Sequence, residues 1–303
     1  MAPVSPPSGT VRFVHSADWQ LGMTRHFLSG EAQARFSQDR IAAIERIGSI
    51  AAERGAAFVV VSGDVFETNQ VSPQTVRRAC DALRTVPVPV FLLPGNHDPL
   101  DAGSVFRSRT FLGARPPHVV VLDDRTPRAV DGLPGVEVLG APWTSKRPLG
   151  DLVAETTAGL APGPGPMRVL VAHGATDDLM EFAGPASIGV TSAEAAIRDG
   201  RIGYLALGDR HSTTDVGSTG RIWYAGAPEP TDYDEIASGN VLVVSLAPVG
   251  RPTVEVVRTG SWRFERPRFE LDGGLGELRA WLDALPEKAR TIVKDRKSTR
   301  LNS

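Results

Sequence analysis

The stretch Val90-Phe91-Leu92-Leu93-Pro94-Gly95-Asn96-His97-Asp98 decides the fold. It opens as an apolar, strand-forming run, breaks at Pro-Gly, and ends on three polar side chains able to bind a cation or move a proton. Four more runs end the same way. Val11–Ala17 leads to Asp18-Trp19-Gln20, and Phe58–Gly63 leads to Asp64. Arg168–Ala172 leads to His173-Gly174, and Tyr204–Gly208 leads to Asp209-Arg210-His211. In open α/β sheets, ligands bind beyond the carboxyl ends of the strands. Five such ends are expected to gather Asp18, Gln20, Asp64, Asn96, His173, Asp209 and His211 at one edge.

A single Asp after a strand is most often a turn residue, and isolated histidines such as His26 and His118 are assigned no role. Recurrence of the arrangement, with the string Gly95-Asn96-His97-Asp98, carries the weight. The donor set is rich in carboxylate and amide oxygens. It suits Mn²⁺ and related ions better than a closed structural zinc site, for which no cysteine cluster exists.

Further β-rich runs are Val119–Leu122, Val136–Gly140, Ile222–Ala225 and Val241–Leu246. Between the early runs lie helical patterns. From Glu31 to Arg54, Ile41, Ile44, Ile47 and Ile50 keep one face apolar, and Gly55 suits the C-terminal cap. Ser72-Pro73 reads as N-cap and first helical residue of a second helix running towards Leu83. Thr191 with Glu194 reads as a capping box opening a third. Leu278, Leu282 and Leu285 suggest one more near the end. This alternation predicts an α/β fold with a more purely β second half.

At 303 residues with 41% hydrophobic and 22% charged residues, the chain has the composition of an ordinary globular protein. No apolar run is long enough to span a bilayer, so no membrane association is expected. Met1 to Thr10 is rich in Pro and Ser and is expected to be a flexible N-terminus without a secretory signal. The single cysteine, Cys80, falls in an apolar helical pattern, which predicts a buried thiol and the cytoplasm as compartment. The formal net charge of −2 argues only weakly against a nucleic-acid partner, because bound divalent ions add positive charge that residue counts miss. Basic residues are mostly Arg, but Ala, Gly, Pro and Arg together read as the composition of a GC-rich genome.

In order, the strings His15-Ser-Ala-Asp18-Trp-Gln20-Leu-Gly22, Gly63-Asp64-Val-Phe-Glu67, Gly95-Asn-His-Asp98, Ala172-His173-Gly174 and Gly208-Asp-Arg-His211 resemble the motifs of calcineurin-like metallophosphoesterases. Within that superfamily the chain resembles the SbcD type of DNA repair exonuclease. Asp18-Trp-x-Leu-Gly22 is one reason. Another is Tyr224-Ala-Gly-Ala-Pro-Glu229 followed by Tyr233-Asp-Glu235, similar to a Tyr-Pro-Gly-Ser-x-Glu segment of that type.

The resemblance implies an α/β sandwich of two mixed β-sheets flanked by helices, spanning 11–260, with the start of a small capping domain over 261–294. It implies two divalent ions, Mn²⁺ or Mg²⁺, bridged by Asp64. One would take Asp18, Gln20 and His211, and the other Asn96, His173 and Asp209. His97 would stand over the scissile phosphate rather than bind metal. DNA is the implied substrate, with an SbcC-like ATPase and a second copy of the chain as partners. Nuclease action on DNA is therefore the expected function. A phosphodiesterase or phosphatase using the same metals is the alternative, and a catalytically weak DNA-binding subunit is a third reading.

Two positions depart from the family pattern, which has His at the places of Gln20 and Asp209. Both replacements keep an oxygen donor and harden the site towards Mn²⁺ or Mg²⁺. Finally, Asp295–Ser303 matches, residue for residue, one translated frame of a common sequencing-library adapter. The natural sequence is expected to continue past Lys294.

Overall fold

A computed structural model describes residues 9–180, 182–269 and 275–294. The expectations for the N-terminal segment up to Ser8 and for the 295–303 tail fall outside the described residues.

Four short strands follow one another in parallel: β1 (Val11–Ser16), β2 (Val59–Val61), β3 (Val90–Leu92) and β4 (Val119–Val121). Next come β5 (Arg128–Ala129), β6 (Val136–Ala141), β7 (Met167–His173), β8 (Tyr204–Gly208), β9 (Thr214–Val216) and β10 (Ile222–Tyr224). The chain then returns through β11 (Asn240–Leu246) and β12 (Thr253–Arg258). The first sheet has the order β12-β11-β1-β2-β3-β4, and the second β5-β6-β7-β8-β10-β9. Each is mixed, because β11, β12, β5 and β9 run antiparallel to their neighbours.

Period-two alternation explains the layering. Phe13, Phe58, Val60 and Phe91 of the first sheet meet Val169, Val171, Tyr204 and Ala206 of the second. Phe13 stacks on Phe58 at 5.0 Å and takes the edge of Tyr204 at 5.4 Å. The intervening residues Val14, Val59 and Val61 face α1 (Gly30–Glu53) and α2 (Pro73–Leu83). A short α3 (Arg109–Ala114) contributes Phe111 to the same cluster. On the far side, Leu170, Ala172, Leu205 and Leu207 pack under α4 (Leu152–Ala158) and α5 (Val190–Arg198). The result is a helix–sheet–sheet–helix sandwich.

Helix α1 turns Ile41, Ile44, Ile47 and Ile50 inwards, and Gly55 follows it at φ +61°. Ser72 caps α2, its hydroxyl accepting from the Thr75 N–H at 3.1 Å. Cys80 is buried. The capping box at Thr191 and Glu194 is not formed. Helix α5 starts two residues earlier, with Gly189 rather than Thr191 at the N-cap. Its Gly189 and Val190 N–H groups are held instead by the distant carboxylates of Asp151 (2.9 Å) and Asp177 (3.0 Å). Glu194 accepts from Ser218.

Beyond Gly260, β13 (Arg263–Glu265) pairs in parallel with β14 (Thr291–Val293), and α6 (Gly276–Ala284) lies between them in sequence. Trp262 and Ile292 pack on Phe36 of α1 and on Met23. No described helix is long and apolar enough to cross a membrane.

Candidate metal centre

Backbone geometry marks the site first. Among the described residues, five non-glycine residues have positive φ, and four are expected ligands: Asp18 (52°), Gln20 (44°), Asp64 (51°) and Asp209 (96°). Such conformations are costly for L-residues and persist where surrounding contacts over-determine them. Those contacts are present. After β1 and β2 separate, Asp18 N–H donates to the Gly63 carbonyl (3.1 Å) and Gln20 N–H to that of Asp64 (2.8 Å). An isolated bridge between Leu21 and Phe66 prolongs the pairing. The backbone is also packed tightly against the ligands. A Cβ at Gly95 would collide with the Asp64 carboxylate, and one at Gly208 with the Ser62 carbonyl.

Asp18, Asp64 and His173 are buried and offer ligand atoms within 4.8 Å of one another. His173 Nδ1 stands 2.8 Å from the Ser62 carbonyl oxygen. That oxygen can only accept, so Nδ1 carries its proton and Nε2 is turned to the cluster. There it lies 3.4 Å from Asp64 Oδ1 and 3.6 Å from Asp209 Oδ1. The Asn96 amide comes within 2.7 Å of the same nitrogen. Asp209 N–H donates to Asp18 at 3.0 Å, joining the two sheets' strand ends. The Gln20 amide nitrogen lies 3.2 Å from the Nε2 of His211, whose charge acts on Asp18. Asp64, Asn96 and Asp209 thus meet at His173 Nε2, Asp18 joins them through Asp209, and Gln20 pairs with His211.

Three carboxylates meet here, and among the described residues no Arg or Lys forms an ion pair with Asp18, Asp64 or Asp209. Burial pushes the Asp18 carboxyl up to about 6; Asp64 and Asp209 add to this, while His211 and His173 oppose it. Burial drives Asp64 the same way, but His173 and His97 outweigh it and leave that carboxyl below its ordinary range. For His173 burial disfavours the charged ring, yet Asp64, Asp18 and Asp209 hold it well above the usual imidazole value. The cluster thus demands positive charge. Gln20 Oε1 is buried without any hydrogen-bond partner. An orphaned acceptor beside clustered carboxylates fits a divalent cation, whose binding would satisfy both.

His97 is placed differently. Its backbone N–H donates to Asp64 Oδ1 at 3.0 Å, and Nδ1 lies 2.9 Å from the Glu67 carbonyl. Nε2 stands 3.9 Å from Asp64 Oδ2, and the side chain is 37% exposed, at the mouth of the centre.

Supporting groups escaped the sequence reading. Buried Asp98 accepts from Gly95 N–H (2.8 Å) and Phe66 N–H (2.9 Å), tying the Asn96–His97 loop to the Asp64 loop. Burial, reinforced by the charge of Asp64, pushes its carboxyl up to about 7. Glu235 Oε1 and Thr231 Oγ1 each lie 2.8 Å from His211 Nδ1. Trp143 donates its indole N–H to the His173 carbonyl at 2.7 Å. Only Glu235 and Asp98 lay within strings already singled out. His118, assigned no role, lies with Nε2 3.1 Å from the Leu83 carbonyl, away from the centre.

The sequence profile of the calcineurin-like phosphoesterase family matches residues 11–212. The SbcD component of the Escherichia coli (strain K12) nuclease SbcCD is 25% identical over 310 aligned positions, covering 90% of this chain and 74% of that protein. The DNA double-strand break repair protein Mre11 of Archaeoglobus fulgidus is 35% identical over 91 residues, 29% of this chain and 19% of that one. Among solved structures, a dimetal phosphatase from Danio rerio is similar at 10% identity and a TM-score of 0.46, covering 82% of this chain and 99% of that one.

Proposed function

The chain belongs to the calcineurin-like phosphoesterase family and is a hydrolase of phosphoester bonds; we propose that its substrate is the DNA phosphodiester and that it acts as a two-metal nuclease. One observation supports this above all. Ligand-competent residues at three strand ends share left-handed backbone and adjoin a buried, carboxylate-rich point. The choice of DNA is supported by likeness to relatives named as a nuclease component and a DNA break repair protein.

In this proposal Asp18, Gln20 and His211 hold one ion, Asn96, His173 and Asp209 a second, and Asp64 both. Oxygen donors at 20 and 209 favour Mn²⁺ or Mg²⁺. Bound there, two divalent ions supply the Lewis acidity that polarises a phosphoryl group and acidifies water near neutral pH. The chain's own residues do the positioning. The Ser62 carbonyl orients His173, and Glu235 orients His211. His97, anchored through Nδ1, keeps Nε2 at the mouth and gives a proton to the departing oxygen. An SbcC-like ATPase and a second copy of the chain are the proposed partners. The cytoplasm is the proposed compartment, in keeping with a buried thiol at Cys80 that burial raises to about 11.

The test is degradation of single- and double-stranded DNA by the Mn²⁺-loaded protein, run beside turnover of a generic aryl phosphodiester. Metal-dependent loss of DNA is expected. Good ester turnover with every DNA form left intact overturns the nuclease assignment in favour of a small-molecule phosphodiesterase.

A further inference from the structure

His173 and His211 are held by different parts of the chain. The Ser62 carbonyl that faces His173 Nδ1 follows β2, inside the sandwich. Among the described residues, His211 Nδ1 is met by Thr231 and Glu235, both from the segment 229–235. That segment lies in no strand or helix, so neither a ladder nor a helical turn fixes its place. Within it the side chains divide. Thr231 and Glu235 turn to His211 and to each other, Glu235 Oε2 accepting from the Thr231 N–H at 2.9 Å. Glu229, Tyr233 and Asp234 turn to the C-terminal unit built on β13 and β14. The buried Glu229 carboxylate accepts from the N–H groups of Ser261 (2.9 Å) and Trp262 (3.2 Å), where that unit begins. The Tyr233 ring meets Phe264 of β13 edge-on at 5.1 Å and carries two cations, Arg266 and Lys294, each 5.2 Å from its centroid. Arg266 also pairs with Asp234 at 2.6 Å. The unit is anchored in turn on α1, where Asp39 accepts from the Trp262 indole N–H at 2.9 Å and from Arg290 at 2.7 Å.

We infer that Tyr233 is a positioning residue for the metal centre. Through its ring, the unit built on β13 and β14 holds Glu235 against His211 and so sets the affinity of one ion, the one assigned to Asp18, Gln20 and His211. The other ion, backed by the Ser62 carbonyl, is independent of this contact. A group behind a ligating imidazole is typically worth 10–100-fold in metal affinity. Tyr233 acts on that group from two residues away, so the lower end of the range, about tenfold, is at stake. The coupling is reciprocal: whatever the unit adds to ion binding, ion binding adds to the docking of the unit. This inference rests on the two-ion proposal and adds to it an unequal dependence of the two ions on the C-terminal unit.

The test uses the full chain in three forms: wild type, Tyr233→Ala and Tyr233→Phe. Mn²⁺ binding is titrated by calorimetry, and amide hydrogen exchange in β13 and β14 is followed with and without Mn²⁺. Tyr233→Ala should weaken one binding step about tenfold and leave the other unchanged. Tyr233→Phe keeps the ring and should bind as the wild type does. In the wild type, Mn²⁺ should slow exchange at 263–265 and 291–293 by about the same factor, and in Tyr233→Ala that slowing should vanish. Two unaltered steps in Tyr233→Ala, equal weakening of both, or wild-type exchange that ignores Mn²⁺ overturns the role of Tyr233 and leaves the metal centre standing. Should Tyr233→Ala fail to fold, the wild-type exchange measurement decides alone. Absence of any Mn²⁺ binding by the wild type overturns the two-ion centre and this inference together.

Discussion

Glu235 Oε1 lies 2.8 Å from His211 Nδ1, so the opposite ring nitrogen is the one that faces Gln20. A carboxylate behind a ligating imidazole fixes its tautomer and raises its basicity, and losing such a partner typically costs 10–100-fold in metal affinity. Glu235→Ala should therefore weaken one of the two Mn²⁺ binding steps by about that factor, with Glu235→Gln recovering part of it. Calorimetric titration reads this directly. An unaltered isotherm for Glu235→Ala removes the residue from the centre.

Asp64 touches His173 and the His97 backbone at once, and is assigned to both ions. Asp64→Asn keeps the shape and removes the charge. Both Mn²⁺ binding steps and hydrolysis should disappear while the far-ultraviolet circular dichroism spectrum stays that of the wild type. Retention of one full binding step would refute a bridging role.

His97 has its ring held by the Glu67 carbonyl and its Nε2 at the mouth. His97→Ala should leave Mn²⁺ stoichiometry and affinity intact and lower kcat about 10²–10⁴-fold, the usual reach of general acid help. Loss of metal binding along with activity would instead make His97 a ligand.

Gln20 occupies left-handed backbone at φ 44° with Oε1 unpartnered. Histidine tolerates that conformation better than most residues. Gln20→His should fold, bind Mn²⁺ at least as tightly as the wild type and keep its turnover. Complete inactivation by this substitution contradicts the assignment of Gln20 to the first ion.

His15 is buried between the sheets, 3.3 Å from the Tyr204 hydroxyl, 3.1 Å from Ser62 Oγ and 3.2 Å from the Leu207 carbonyl. Burial lowers its pKa to about 3, against the weaker opposing pull of the Leu207 carbonyl. Between that value and the ordinary 6.5, the unfolded chain carries a proton that the native state lacks. Stability contributed by neutral His15 is therefore present above about pH 6.5 and lost as pH falls. From about pH 7 to pH 5 the loss amounts to about 2 kcal/mol. Urea unfolding of metal-free protein should show His15→Gln less stable at neutral pH but with a flatter dependence over this interval. Parallel curves for variant and wild type would assign the acid sensitivity elsewhere.

Much of this molecule was legible in one dimension. All nine expected strand runs are strands, and the isoleucines of α1 face inwards, because period-two and period-3.6 burial are imposed by the covalent geometry of the chain. The Ser72 cap was readable for the same reason, its partner lying three residues away. The edge strands β5, β9 and β12 were not, since they bury little and so leave a faint apolar pattern.

The sequence by itself determined which residue types end the strands, and hence an α/β sandwich with a metal-competent edge. Tertiary structure alone decided how those residues meet. Gln20 and His211 are neighbours across 191 positions, and Glu235 stands behind His211 in a way no local spacing announces. It also decided that Asp151 and Asp177, rather than a Thr191–Glu194 box, would cap α5. The physical reason is common to all of these. A buried N–H, a lone pair or a charge is satisfied by whatever group packing brings within reach, and packing joins residues without regard to their distance along the chain.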